Sequence, residues 1–141
     1  MAPITQSANV IVDDFIAPVC HEHIKIIYQD EALLVINKPS GLLSLSGKNS
    51  LNWDSVHYRL VNGQQGKTAA FAEAKLPHRL DFGTSGIMLV ALNSESAKNL
   101  NQEFQSHTIS KRYVTMLQGK VCDNHGQINY PIAKDKLHFP R

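Results

Sequence analysis

A chain of 141 residues with 43% hydrophobic and 18% charged residues can build one ordinary core and is too short for two independent domains of typical size. Its formal charge of +2 at pH 7 permits a nucleic-acid partner without demanding one, so any such claim must come from a site. Two cysteines, Cys20 and Cys122, are too few to staple a secreted fold; with no basic leader in the first residues and no apolar run nearing a membrane span, the expectation is a soluble cytoplasmic protein with no membrane partner.

Residues 1–23 show little periodicity and carry Pro3, Pro18 and the pair Asp13-Asp14, which reads as an N-terminal arm laid over the domain. The fold is expected to begin near Ile24 and to span 24–141. Ile24 to Tyr28 and Leu33 to Asn37 are two apolar, partly β-branched runs separated by Gln29-Asp30-Glu31-Ala32, the signature of an antiparallel hairpin. Lys38-Pro39-Ser40-Gly41 breaks the second strand. Ser50 is positioned to cap a helix with Leu51, Trp53, Val56 and Leu60 on its apolar face, ending near Asn62-Gly63. Gln64 to Lys75 reads as a mobile surface connection, where a lid or substrate-contact loop could lie.

The run Pro77-His78-Arg79-Leu80-Asp81-Phe82-Gly83-Thr84-Ser85-Gly86 gathers a carboxylate, a guanidinium, an imidazole and two hydroxyls in one turn. The apolar stretch Ile87 to Leu92 follows, so the cluster sits on a loop at the mouth of a buried strand, where a rigid sheet holds catalytic groups. Asn93 or Ser94 then caps a second helix with Ala97, Leu100, Asn101 and Phe104 near one face. Lys111 to Val121 alternates like a strand, and Gly126 to Pro131 reads as a short strand and turn. The fold class is α+β: a mixed, largely antiparallel central sheet with inserted helices.

Three blocks, Asn37-Lys38-Pro39-Ser40-Gly41-Leu42, His78-Arg79-Leu80-Asp81 with Thr84-Ser85-Gly86, and Ser110-Lys111-Arg112-Tyr113, follow the order and spacing of the RluA family of RNA pseudouridine synthases. The chain resembles that family from about Ile24 onward. The resemblance implies a pseudouridine synthase fold and the isomerisation of uridine in ribosomal RNA, transfer RNA or both, with no cofactor and no metal. It matches Asp81 to the catalytic aspartate, Arg79 to the arginine beside the extruded base, and Tyr113 to the tyrosine packed against the uracil. No block resembling the family's later Gly-Arg-x-His-Gln-Leu-Arg occurs before Arg141. The expectation is therefore the N-terminal portion of a synthase, with weak or absent turnover alone and exposed sheet edges that favour self-association. The short arm suggests a compact member without an added RNA-binding domain.

The chemistry asks for the same residue types independently. Isomerisation breaks the C1′–N1 bond, rotates the captive uracil and rejoins it through C5. A carboxylate can add to C1′, add to C6, or remove the C2′ proton, and the sequence leaves all three open. The base must leave its stack first, which Arg79 could assist by filling the vacated space. Lys67, Lys75, Lys111 and Arg112 are the cations best placed to meet phosphates, which would make RNA affinity fall steeply with salt. His78, Leu80, Thr84, Ser85 and Gly86 shape the loop: His78 as a structural hydrogen-bonder, Thr84 and Ser85 by satisfying the turn's backbone, and Gly83 and Gly86 by allowing positive φ or close approach.

Each residue also has a plainer reading. Asp81 could cap its own turn with the carboxylate on the Gly83 or Thr84 amides, Arg79 could sit in a surface ion pair, and Tyr113 could be a strand-packing residue. Cys20-His21-Glu22-His23 with Cys122 and His125 carries zinc-ligand types without regular paired spacing, so a chance grouping is favoured. Two other functions fit parts of the sequence. One is an RNA-binding remnant without turnover. The other is a hydrolase using Ser85 with His78 as base, which the spacing opposes because the serine precedes the strand.

Overall fold

A computed structural model describes residues 14–64 and 70–133. The chain divides into two units, 1–109 and 110–141.

In the first unit, β1 (Lys25–Gln29), β2 (Leu33–Lys38) and β3 (Gly86–Ala91) form an antiparallel sheet in the order β1-β2-β3. The hairpin between β1 and β2 is closed by Asp30, whose Oδ1 accepts the Ala32 and Leu33 amides at 2.8 Å each while Oδ2 accepts the Tyr28 hydroxyl at 3.0 Å. These bonds, the Leu33 amide foremost, hold its carboxyl below the usual carboxylate range. Register follows from alternation. Leu34 pairs with Val90 and Ile36 with Met88, and all four are fully buried on one face.

The helix α1 (Val56–Asn62) starts later than the apolar pattern suggests. Ser55, not Ser50, is the cap: its hydroxyl accepts the Tyr58 amide at 3.1 Å. Leu51 and Trp53 consequently lie outside the helix and are exposed, while Val56 and Leu60 enter the core with Ile24, Leu42, Ala74 and Leu80. The flanks of the 64–75 connection are also tied to the core. Gln64 is buried, with its amide oxygen accepting the Ile24 amide at 2.8 Å, Phe71 packs against the core, and Ala74 is part of it.

The helix α2 (Ser94–Gln105) opens with a reciprocal cap, since Asn93 Oδ1 accepts the Ser96 amide at 2.8 Å and Ser96 Oγ accepts the Asn93 amide. It packs on β3, burying Ala97, and Phe104 stacks on His78 at 4.4 Å between ring centroids.

In the second unit, the described residues 110–133 contain neither helix nor strand and are exposed. The strands expected over Lys111–Val121 and near Gly126–Pro131 are therefore absent from this structure. Alternation prepares a segment for a sheet, but a strand exists only when a neighbour accepts its ladder bonds, and no described residue offers one here.

Candidate active site

The site is built where two loops meet at the Gly86 end of the sheet. Lys38 is the last residue of β2, on the same face as Leu34 and Ile36, so alternation drives its side chain into the core, where it is fully buried. Its ammonium donates to the carbonyls of Pro39 at 2.9 Å, Phe82 at 3.3 Å and Thr84 at 2.7 Å. Burial pushes its pKa down, and nearby Cys20 and Asp81 oppose that shift.

The remaining contacts extend the clamp. Ser40 Oγ donates to the Gly83 carbonyl at 2.8 Å, the Gly41 amide to the Phe82 carbonyl at 2.9 Å, and the buried Ser44 Oγ to the Leu80 carbonyl at 2.6 Å while accepting the Leu80 amide at 3.1 Å. Gly41 sits at φ +74°, and Gly86 at φ +131° lets the chain swing from the loop into β3; both backbones favour glycine. Gly83 needs neither positive φ nor close approach, contrary to the sequence expectation. The Thr84 and Ser85 hydroxyls do not tie the turn either. The 38–44 loop does that work, because its donors reach carbonyls that the short turn cannot satisfy internally.

Asp81 projects from this pinned loop and is exposed. The turn closes through backbone alone, with the Thr84 amide donating to the Asp81 carbonyl at 3.0 Å. The Asp81 carboxylate accepts no hydrogen bond from any described residue, so it is not the cap of its own turn. Arg79 is exposed and forms no ion pair with a described residue; the ion pair among them joins Asp54 to Arg59 at 2.7 Å. Leu80, between them, is buried and carries the loop's hydrophobic anchor.

His78 Nε2 accepts the Leu89 amide at 2.9 Å, which occupies the nitrogen a Ser85 nucleophile would need and removes the hydrolase reading. Lys75 stands at the Ala91 end of β3, where it bridges Ala91 and its ammonium donates to Ser94 Oγ at 2.8 Å. That end lies roughly 17 Å along the strand from Gly86 at about 3.4 Å per residue, so Lys75 does not join the Asp81 loop at the sheet. Lys111, Arg112 and Tyr113 belong to the exposed 110–133 segment. Lys67 lies outside the described residues. Both cysteines are free, and among the described residues no group of three or more His, Cys, Asp or Glu could hold a metal.

Sequence reasoning gave Lys38, Ser40 and Ser44 no role at the site, although Lys38 and Ser40 lie in one of the three resembling blocks, a loop near the site in that family. Lys38 carried a legible signal: its parity with Leu34 and Ile36 places a charged side chain in the core, where it must find carbonyls.

A cavity of about 380 Å³ lies beside this clamp, with Gly41, Leu42 and Leu43 on one side and Trp53, Tyr58 and Arg59 on another. Asp81 is not among its lining residues. Residues 17–21 and His23 line it, and the segment that carries them is tied down: Phe15 meets Phe82 edge-on at 5.3 Å, the Ala17 amide donates to Asn52 Oδ1, and Arg59 donates to the Cys20 and Glu22 carbonyls at 2.6 Å each.

Comparison with known proteins gives a consistent result. The sequence model for the RNA pseudouridylate synthase family matches residues 32–140. The dual-specificity RNA pseudouridine synthase RluA of Haemophilus ducreyi is 41% identical over 118 residues, covering 82% of this chain and 50% of that protein. Its counterpart in Yersinia pestis is 35% identical over 116 residues, covering 82% and 53%, and that of Haemophilus influenzae is 34% identical over 124 residues, covering 88% and 53%. The chain spans about half the length of the curated relatives it matches. Among solved structures, human RNA Pseudouridylate Synthase Domain Containing 4 aligns with a TM-score of 0.44 and 28% identity over 59% of this chain and 30% of that one.

Proposed function

The chain belongs to the RNA pseudouridylate synthase family, and on that premise we propose that it converts uridine to pseudouridine in ribosomal RNA, transfer RNA or both, with Asp81 as the catalytic carboxylate. One observation carries the assignment. The 80–84 loop is pinned by Lys38, Ser40, Gly41 and Ser44, yet the carboxylate at its tip is left without a hydrogen-bond partner among the described residues. A structural aspartate in a Gly-containing turn normally caps backbone amides. Here the Thr84 amide donates to the Asp81 carbonyl and the loop's carbonyls are served by the 38–44 segment, while the carboxylate itself takes no part, which leaves Asp81 available to a substrate.

A carboxylate in this position can act as nucleophile or as base. Arg79, two residues earlier and equally unengaged with described acids, fits the space an extruded uridine leaves behind. Tyr113 fits as the ring against the uracil, and Lys67, Lys75, Lys111 and Arg112 as phosphate contacts. The reaction in this reading needs no cofactor or metal, and we assign it to the cytoplasm.

Asp81's exposure outside the cavity favours a second reading for the 141 residues by themselves: RNA binding with little or no multiple turnover. Tritium release from 5-tritiated uridine in RNA separates the two. Weak or absent multiple turnover is expected, and a rate near that of a full-length relative would contradict it. The outer edge of β1 has no described neighbour, which supports self-association; a monomer by light scattering at high concentration would count against it.

A further inference from the structure

The cavity beside the Asp81 loop holds two aromatic rings that the fold does not use. Trp53 is 53% exposed and Tyr58 40% exposed, and they meet edge to face at 4.8 Å and 70°. The Trp53 indole N–H and the Tyr58 hydroxyl have no hydrogen-bond partner among the described residues. Exposed Leu51 continues the same surface. Large amphipathic rings left in water at a concave surface are features of binding sites, because each has a face to stack and a polar edge to pair.

The backbone that carries Trp53 is held although its ring is exposed. The Trp53 carbonyl is held by Ser46 Oγ at 2.7 Å. The preceding Asn52 is buried, with its amide group bonded to the Phe15 carbonyl and the Ala17 amide. The following Asp54 is gripped by Arg59 Nε and Nη2 at 2.7 Å each. The Trp53 backbone is therefore fixed from both sides, so a ligand stacking on its ring would have only the side chain left to order. The grip also neutralises Asp54, the one acidic residue among the described residues that line the cavity, so a phosphate backbone would meet no uncompensated negative charge from them. Gly41 lines this cavity and also bonds the Phe82 carbonyl, so the cavity wall and the catalytic loop share one segment.

We infer that the Trp53–Tyr58 wall is a stacking platform for an unpaired nucleobase of the RNA substrate, adjacent to the Asp81 loop and separate from the target uridine. It rests on the reading of this chain as one that acts on RNA. A π-face accepts any base, so the platform adds affinity and holds the neighbouring strand without reading its sequence. The volume of about 380 Å³ lies within the range of small-ligand pockets, roughly 300–1,000 Å³.

Trp53 is the single tryptophan of the chain, so its emission reports this site alone. The 141-residue chain is titrated with an RNA stem-loop carrying an unpaired loop, while anisotropy of a labelled copy of that RNA reports binding itself. The expected result is quenching of Trp53 emission with the same midpoint as the anisotropy change, roughly tenfold weaker binding for Trp53→Ala, and near-normal binding for Trp53→Phe. RNA binding by anisotropy with unchanged Trp53 emission overturns the platform and leaves the RNA reading standing. Absence of both signals overturns the two together. An emission shift that grows with protein concentration and ignores RNA would assign the wall to a second copy of the chain and likewise overturn the proposal.

Discussion

The Lys38 ammonium, at the end of β2, donates to the Thr84 carbonyl at 2.7 Å across 46 residues of sequence. Through this bond the core fixes the loop that carries Asp81. A buried ammonium is costly unless its donors are matched, and here three carbonyls receive it. Lys38→Met keeps the volume but leaves the Pro39 and Thr84 carbonyls unserved. The expected outcome is a loss of about 1–3 kcal/mol in urea unfolding. Catalytic rate should fall more than RNA affinity, because Lys38 positions the loop without touching RNA; equal losses in both would argue against that role.

Ser44 both donates to and accepts from the Leu80 backbone. Ser44→Ala removes both bonds in a buried position, and about 1–3 kcal/mol of stability should disappear. An unchanged unfolding midpoint would show that the 44–80 contact contributes nothing.

Asp30 gives the chain a defined response to acid. Its folded carboxyl lies below the usual value, so between that lowered value and about 3.9 the unfolded chain binds the proton more tightly. The charge's contribution is present above about pH 4 and is lost as pH falls through the folded value. The Tm of the native chain should exceed that of Asp30→Asn near pH 6, and the gap should shrink as pH falls through the lowered folded value. A gap that persists or widens in acid would contradict this sign.

Much of the architecture was legible because short-range chemistry agreed with the final packing. The alternation of Leu34 and Ile36, the Asp30 turn and the Asn93 cap each describe an element whose partners lie nearby. The start of α1 was misread because Ser50 and Ser55 both precede apolar residues. The bond from the Tyr58 amide to Ser55 is local and could be drawn for either serine; what selects Ser55 is its burial, a tertiary fact. Residues 111–121 have strand alternation without a described partner, so local pattern could not establish pairing.

The motif around Asp81 stood out by composition, whereas the clamp beneath it did not. Ser40 and Ser44 look like ordinary loop residues until the fold brings them to Gly83 and Leu80, 43 and 36 residues away. The platform residues Trp53 and Tyr58 were hidden for a related reason: a helix extended back to Ser50 would have drawn Trp53 into the core face, while the Ser55 cap leaves it outside.

The most direct measurement is tritium release from 5-tritiated uridine in RNA with protein in excess over RNA, comparing the native chain with Asp81→Asn. The account predicts slow release from the native chain and a drop of at least about a hundredfold in the variant, with RNA affinity by anisotropy nearly unchanged. Release at equal rates from both proteins would contradict it.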